Sequence, residues 1–307
     1  MKDIAGYSLA MGAAVFWGAS ATLAKHLLNQ QLDTLLLVNT RVGFSFLLLL
    51  VVFALFFRTL LRVRVRDFWR FALLGVVGLA GANFTYYFTI KESTVAAAIT
   101  MQYTAPLFVM AYEVVAREER FSLAKPLAAV MSLTGCFLAV TGLDLTTMRL
   151  SPPALLSGVG SMLSFAFMTI YTRHLLAHYR LWTVTFYSIA FASLFWTIID
   201  PPWQMIERVP DGGTWFALIL LAISSVLIPN LMFAGGLRFL VPSRVVITST
   251  LEPVVAIATA AMFLGEFVTP VQSAGAALVI LAIIVLQFRR ETGSLPLVEH
   301  EVPHGKK

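Results

Sequence analysis

Residues 243–264 read SRVVITSTLEPVVAIATAAMFL. A helix crossing the hydrocarbon core of a bilayer needs about 20 predominantly apolar residues, and this run has that length. Near its middle stand a carboxylate, Glu252, and a proline, Pro253. Nine further stretches of the same kind occur: Ile4–Leu27, Leu35–Phe57, Phe71–Ile90, Thr94–Val115, Leu123–Gly142, Pro153–Leu176, Leu181–Ile199, Thr214–Arg238 and Pro270–Phe288. They are too long for barrel strands and lack alternation. Helices satisfy every backbone group within the segment, which lipid demands. The expected fold is an all-α integral membrane protein with ten transmembrane helices.

Composition agrees. Of 307 residues, 59% are hydrophobic and 12% charged, with mean hydropathy +0.83. Soluble chains carry about 25% charged residues, so a cytosolic enzyme, a disordered chain and a secreted disulfide scaffold are excluded. Cys136 stands alone within a span, so no disulfide framework exists. The first helix has Lys2 and a small-residue Ala19-Ser20-Ala21 in the manner of a signal peptide, but its apolar run is longer than the usual h-region.

The basic residues fall on alternate loops. One set holds Lys2, Arg58, Arg62, Arg64, Arg66, Arg70, Arg117, Arg120, Lys125, Arg173, Arg180, Arg238, Arg244, Arg289, Arg290, Lys306 and Lys307; the other holds Lys25, Lys91, Arg149 and Arg208. The positive-inside rule then places both termini in the cytoplasm. The same asymmetry accounts for the net charge of +6. Arg58–Arg70 reads as a topology signal and a contact for anionic headgroups. Nucleic acid is not the expected partner, because these charges flank membrane helices.

The chain also matches itself. Lys25-His26-Leu27-Leu28 aligns with Arg173-His174-Leu175-Leu176, and Gly12 with Gly160, at an offset of 148. At 147, Leu73-Leu74 meets Leu220-Leu221, Asn83 meets Asn230, Lys91 meets Arg238, Pro106 meets Pro253, Glu119 meets Glu266 and Ala129 meets Ala276. Two five-helix repeats follow, 1–145 and 150–290, with a polar cytoplasmic tail over 291–307. Five is odd, so the second repeat is inverted. Inverted repeats characterise transporters, because two halves that exchange conformations change the side a central site faces.

These residues resemble the EamA family of the drug/metabolite transporter superfamily. The likeness is carried by Phe16-Trp17-Gly18, Arg41, Ala105-Pro106, Arg117-Glu118-Glu119, and Leu251-Glu252-Pro253-Val254 through Leu264-Gly265-Glu266. It runs from about Ile4 to Phe288. The first half departs from the pattern, with Arg117-Glu118-Glu119 where Leu264-Gly265-Glu266 stands later. The resemblance implies a secondary-active exporter of a small organic metabolite, an amino acid or related solute, in a bacterial inner membrane. Drug and nucleotide-sugar transport belong to the same superfamily.

Polar residues in spans are the candidate site, because a charge at the bilayer centre costs about 2.5–3.5 kcal/mol unless it faces protein or water. Glu252 beside Pro253 can bind an ammonium or take a proton, or hydrogen-bond Thr248 one turn back or a neighbouring helix. Asn83 and Asn230 offer a donor and an acceptor each, or tie helices together. Pro106, Pro229 and Pro253 mark helix breaks for gating. Trp17, Tyr87, Gln102 and Tyr103 are expected to line the substrate cavity, with Tyr86 a weaker candidate. Ser20 and Trp17 share a helix face, as do Tyr87 and Asn83.

Several features read as structural. Arg41, about six residues into its helix, can attract a carboxylate but more simply pairs or snorkels. Glu113 and Arg117 form an i,i+4 pair at a helix end. Gly75, Gly78 and Gly81 make a ridge for close packing. Asn83-Phe84-Thr85 spells a glycosylation sequon, unusable within a span. Gly158-Val159-Gly160 opens no dinucleotide-binding unit, since Leu163 stands where its last glycine belongs. His300 and His304 lie in the polar tail, a solvated segment rather than a metal site. No HExxH, Walker A or GxSxG motif occurs, so neither an enzyme nor a cofactor is expected. An intramembrane enzyme would need clustered acids, His or Cys, and a scaffold would need no polar residues at the midplane. A single chain supplies both halves of a pathway, as a monomer or within a homodimer.

Overall fold

A computed structural model describes residues 2–30, 32–116, 123–144, 151–201, 203–204, 208–209 and 211–288. Among them, ten helices are long and apolar enough to span a membrane: α1 Lys2–Leu28, α2 Thr34–Phe56, α3 Val65–Glu92, α4 Val95–Val115, α5 Ala124–Thr141, α6 Pro152–Leu176, α7 Leu181–Ile199, α8 Gly212–Phe239, α9 Pro242–Leu264 and α10 Pro270–Gln287. No strand occurs among the described residues. The expected spans are found, with one boundary moved. α3 begins at Val65 rather than Phe71, because its charged first residues have partners. Tyr179 donates to Asp67 at 2.5 Å and Arg70 lies 3.4 Å from Asp67, and just before the helix Tyr187 donates to the Leu61 carbonyl at 2.6 Å. Burial and the Asp67 bond push the Tyr179 hydroxyl up to about 12.

The helix starts carry polar caps. Asp33 accepts from Leu35 N, Thr94 from Ala97 N, and Ser151 from Ala154 N. Asp211 accepts from Gly213 N and Thr214 N, which holds its carboxyl below the usual aspartate range. At the other ends, Gly142 (φ +59°) and Gly265 (φ +68°) close α5 and α9 in the left-handed region.

Four helices are irregular at depth. α3 widens into a π-helical turn at Leu74–Ala80, and α8 does so at Ile223–Leu227. α4 breaks between Val95–Gln102 and Ala105–Val115, and α9 between Pro242–Ser249 and Leu251–Leu264. Pro106 and Pro253 therefore sit in the first turn after a break, where a helix leaves N–H groups unpaired in any case.

Packing follows small residues. A side chain on Gly135 or Gly275 would strike the backbone of the facing helix, so α5 and α10 touch closely. Gly75 meets α7, and Gly78 and Gly81 meet α6. α1 lies against α8 and α9, as α6 lies against α3 and α4. Large apolar side chains such as Phe56, Ile198, Phe216, Met262 and Phe267 are exposed, which suits lipid.

Candidate functional site

The two broken helices meet at Glu252. Pro253 has no N–H to offer the Ser249 carbonyl one turn earlier. Tyr103, at the break of α4, brings its hydroxyl to that carbonyl (3.3 Å) and to Glu252 Oε2 (2.5 Å). Thr248 takes no part in this, since its hydroxyl donates to the Arg244 carbonyl. Of the two partners open to Glu252, its own helix and a neighbouring one, the structure uses the neighbour.

Arg41 of α2 stands near this pair. Its Nη2 donates to Asn83 Oδ1 at 2.6 Å, and its guanidinium carbon lies 5.2 Å from the centre of the Tyr87 ring. Asn83 and Tyr87, one turn apart on α3, thus serve one cation. Asn83 donates from its amide nitrogen to the Leu79 carbonyl at 2.7 Å, within the wide turn. Tyr86 packs edge-on to Tyr87 at 5.3 Å. Read from sequence as a residue that pairs or snorkels, Arg41 pairs, with Asn83 and Tyr87. The available signal was its place inside a span, away from the loops that hold the other basic residues.

The remaining candidates fall elsewhere. Trp17 Nε1 donates to the Ser225 carbonyl at 3.0 Å, the group that Pro229 leaves without its helical partner. Its ring lies 5.4 Å from Phe233. Ser20 donates to the Trp17 carbonyl. Asn230 donates to the Val226 carbonyl and lines a small cavity with Thr172, Thr185, Ser188 and Phe233. That cavity, about 20 Å³ in volume, has room for one water. Gln102 turns its amide to Ser161 on α6 at 3.0 Å. The structure thus joins Glu252 to Tyr103 and gathers Asn83 and Tyr87 on Arg41, and sets Trp17, Asn230 and Gln102 on other contacts.

Glu113 has partners that the sequence reading did not name. Its carboxylate is 2% exposed and accepts from Ser243 N (2.8 Å), Ser243 Oγ (2.6 Å) and Lys125 Nζ (3.4 Å). It caps α9 and joins it to α5, because buried charges require such partners. Arg117, with Glu118, Glu119 and the tail bearing His300 and His304, lies outside the described residues. Cys136 is buried and turns its thiol to the Thr250 carbonyl. At the far ends of α1 and α9, Thr22 and Thr259 share a hydrogen bond of 2.7 Å, and Lys25 pairs with Glu266.

Comparisons with known proteins point one way. A family model described as the EamA-like transporter family matches residues 4–141 and again 152–288. An uncharacterized inner membrane transporter, YicL, of Salmonella typhimurium is 26% identical over 281 residues, covering 89% of this chain and 92% of that protein. An uncharacterized transporter of Archaeoglobus fulgidus is 26% identical over 68% of this chain and 75% of its own. The transporter YwfM of Bacillus subtilis, also uncharacterized, is 25% identical over 71% and 73%. A crystal structure superposes with TM-score 0.74 over 92% of this chain and 96% of that one, at 18% identity. That likeness speaks for the fold.

Proposed function

The chain belongs to the EamA-like transporter family, and on that premise we propose that it is a secondary-active transporter working by alternating access around Glu252. Membership makes it a multi-pass membrane transporter. The inner membrane is the proposed compartment, in keeping with the YicL name. The proposed cargo is an amino acid or related solute and the proposed direction is export, both on the family resemblance. The basic, partly aromatic segment from Arg58 to Arg70, with exposed Trp69, suits anionic headgroups at the cytoplasmic face.

One observation carries the proposal: the Glu252 carboxylate at the break of α9 is held by Tyr103 at the break of α4. Helix breaks free backbone groups and let the two ends of a helix move separately. A carboxylate shared across two such breaks can exchange its tyrosine for a ligand ammonium or a proton. Two opposed five-helix halves supply the motion, and the double family match, the paired wide turns and the paired breaks support that reading. In this reading Trp17, Asn83, Tyr87, Gln102, Tyr103, Asn230 and Glu252 line the pathway, and Pro106, Pro229 and Pro253 hold the hinges.

The test is transport of radiolabelled amino acids by purified protein in liposomes, at several pH values. Transport by the wild type is expected to vary with pH, and Glu252→Gln to abolish that variation. Tyr103, Tyr86, Arg41 and Cys136 surround Glu252 and remain in the variant. Full transport with unchanged pH behaviour in Glu252→Gln would refute the role of Glu252.

A further inference from the structure

We propose that the small cavity beside Asn230 is a binding site for a bare alkali cation, sodium, held by neutral oxygens. The site is separate from Glu252, and its test does not depend on the transport reading.

The first argument is the lining. Thr172 of α6, Thr185 and Ser188 of α7 and Asn230 of α8 border the cavity, with Leu74 and Leu79 of α3. Thr185 is 3% exposed, and its Oγ1 has no hydrogen-bond partner among the described residues. Thr40, Thr85, Thr169 and Thr248, also within spans, each donate to the carbonyl one turn back. Thr185 does not, and a buried polar atom left in this way calls for an explanation. Ser188 donates to the Thr185 carbonyl at 2.9 Å, and Asn230 donates from its amide nitrogen to the Val226 carbonyl at 2.7 Å. Their oxygens keep lone pairs to offer.

The second argument is the repeat. At the offset of 147, Asn83 aligns with Asn230, Arg41 with Ser188 and Val38 with Thr185. At 148, the offset of the first helices, Ala24 aligns with Thr172. In the first half, Arg41 Nη2 donates to Asn83 Oδ1 at 2.6 Å, and Ala24 and Val38 are apolar. In the second half a serine stands for the arginine, threonines stand for the apolar pair, and a cavity of about 20 Å³ lies at the asparagine. The first half carries its cation on the chain. The second keeps the amide and adds hydroxyls and room for a free one.

The third argument is the choice of occupant. The volume suits one water or one bare ion. No acidic residue lines the cavity among the described residues, whereas calcium and magnesium sites are built on carboxylates. Transporters hold sodium with oxygens beside unwound helix. Both neighbouring helices are irregular here: the wide turn Leu74–Ala80 includes two lining residues, and the wide turn Ile223–Leu227 ends shortly before Asn230. Wide turns of this kind are frequent at functional sites. A water would satisfy Thr185 equally, but it gives no reason for an amide that meets a cation in the other half. The walls come from α3 of the first half and α6, α7 and α8 of the second, so a bound ion favours the conformation that brings them together.

The experiment measures the melting temperature of the full chain in detergent. Sodium chloride is titrated against choline chloride at constant ionic strength, with potassium chloride as a second control. The wild type is expected to gain stability with sodium up to a plateau, less with potassium and not with choline. Thr185→Val keeps the shape and removes the oxygen. It should raise the half-effective sodium concentration by about tenfold or more, at least what a metal site loses with a supporting contact. In choline it should melt no lower than the wild type, because the hydroxyl it removes had no protein partner. A cavity that holds only water predicts another pattern, in which Thr185→Val lowers the melting temperature equally in sodium and in choline. That pattern would overturn the proposal, as would a wild type that answers sodium, potassium and choline alike. Equilibrium binding of radioactive sodium to the purified wild type is the second measurement. Saturable binding is expected, and its absence would overturn the proposal whether or not the variant folds.

Discussion

Gly18 follows Trp17 in the chain and faces Glu252 in the fold. A β-carbon there would lie 2.5 Å from the Glu252 carbonyl oxygen and 2.9 Å from Ala256 N. Backbone atoms cannot swing aside, so Gly18→Ala must push α1 from α9 at the candidate site. The expected cost is about 1–3 kcal/mol, the range for overpacking, with transport reduced. Gly12 is the control. A β-carbon there would meet the end of Met232, with Cε at 2.0 Å, and a flexible thioether can move. Gly12→Ala should therefore melt within a few degrees of the wild type and still transport. Comparable losses in both variants would contradict this reading of the α1–α9 contact.

Proline and aromatic residues form a unit at the scale of the helix. Pro229 leaves the Ser225 carbonyl without its helical donor, and Trp17 supplies one. Trp17→Phe should cost about 0.6–1 kcal/mol, as hydrogen bonds in membrane proteins do. In a Pro229→Ala background the helix regains its own N–H, and the same substitution should cost measurably less. A thermal double-mutant cycle checks this, and strict additivity would deny the coupling. The start of α8 makes a separate point. Backbone and hydroxyl donors of Thr214 depress the Asp211 carboxyl, so its cap is present at neutral pH and fades as pH falls through its lowered value. Asp211→Ala should lower the melting temperature at pH 7. The gap from the wild type should narrow below about pH 4, where aspartates begin to protonate.

For the whole molecule, the decisive fact is that α1 packs chiefly on α8 and α9, while α6 packs on α3 and α4. Each proposed half lends its first helix to the other. The Tyr103–Glu252 and Glu113–Ser243 bonds cross the same divide. Residues 1–145 and 150–307 expressed apart should each aggregate in detergent. Expressed together, they should copurify at one to one, which size-exclusion chromatography would read. A monodisperse single half would show that the interleaving is dispensable.

Local properties of the chain determined the class of the protein. Ten apolar runs of spanning length are visible in any window of sequence, and lipid forces them into helices because nothing else satisfies their backbone. The family followed from short motifs such as Phe16-Trp17-Gly18 and Leu251-Glu252-Pro253. The early start of α3 escaped notice because charged residues there look like loop until Tyr179 is seen to bind Asp67. Only the tertiary structure decided which polar groups meet. Glu252 could have bonded Thr248 in its own helix, and it bonds Tyr103 instead. Glu113 pairs with Lys125 and Ser243, and Arg41 with Asn83 and Tyr87. Hydropathy reports how deep a residue lies. It does not report the rotation of one helix against another, and that rotation sets which carboxylate faces which hydroxyl.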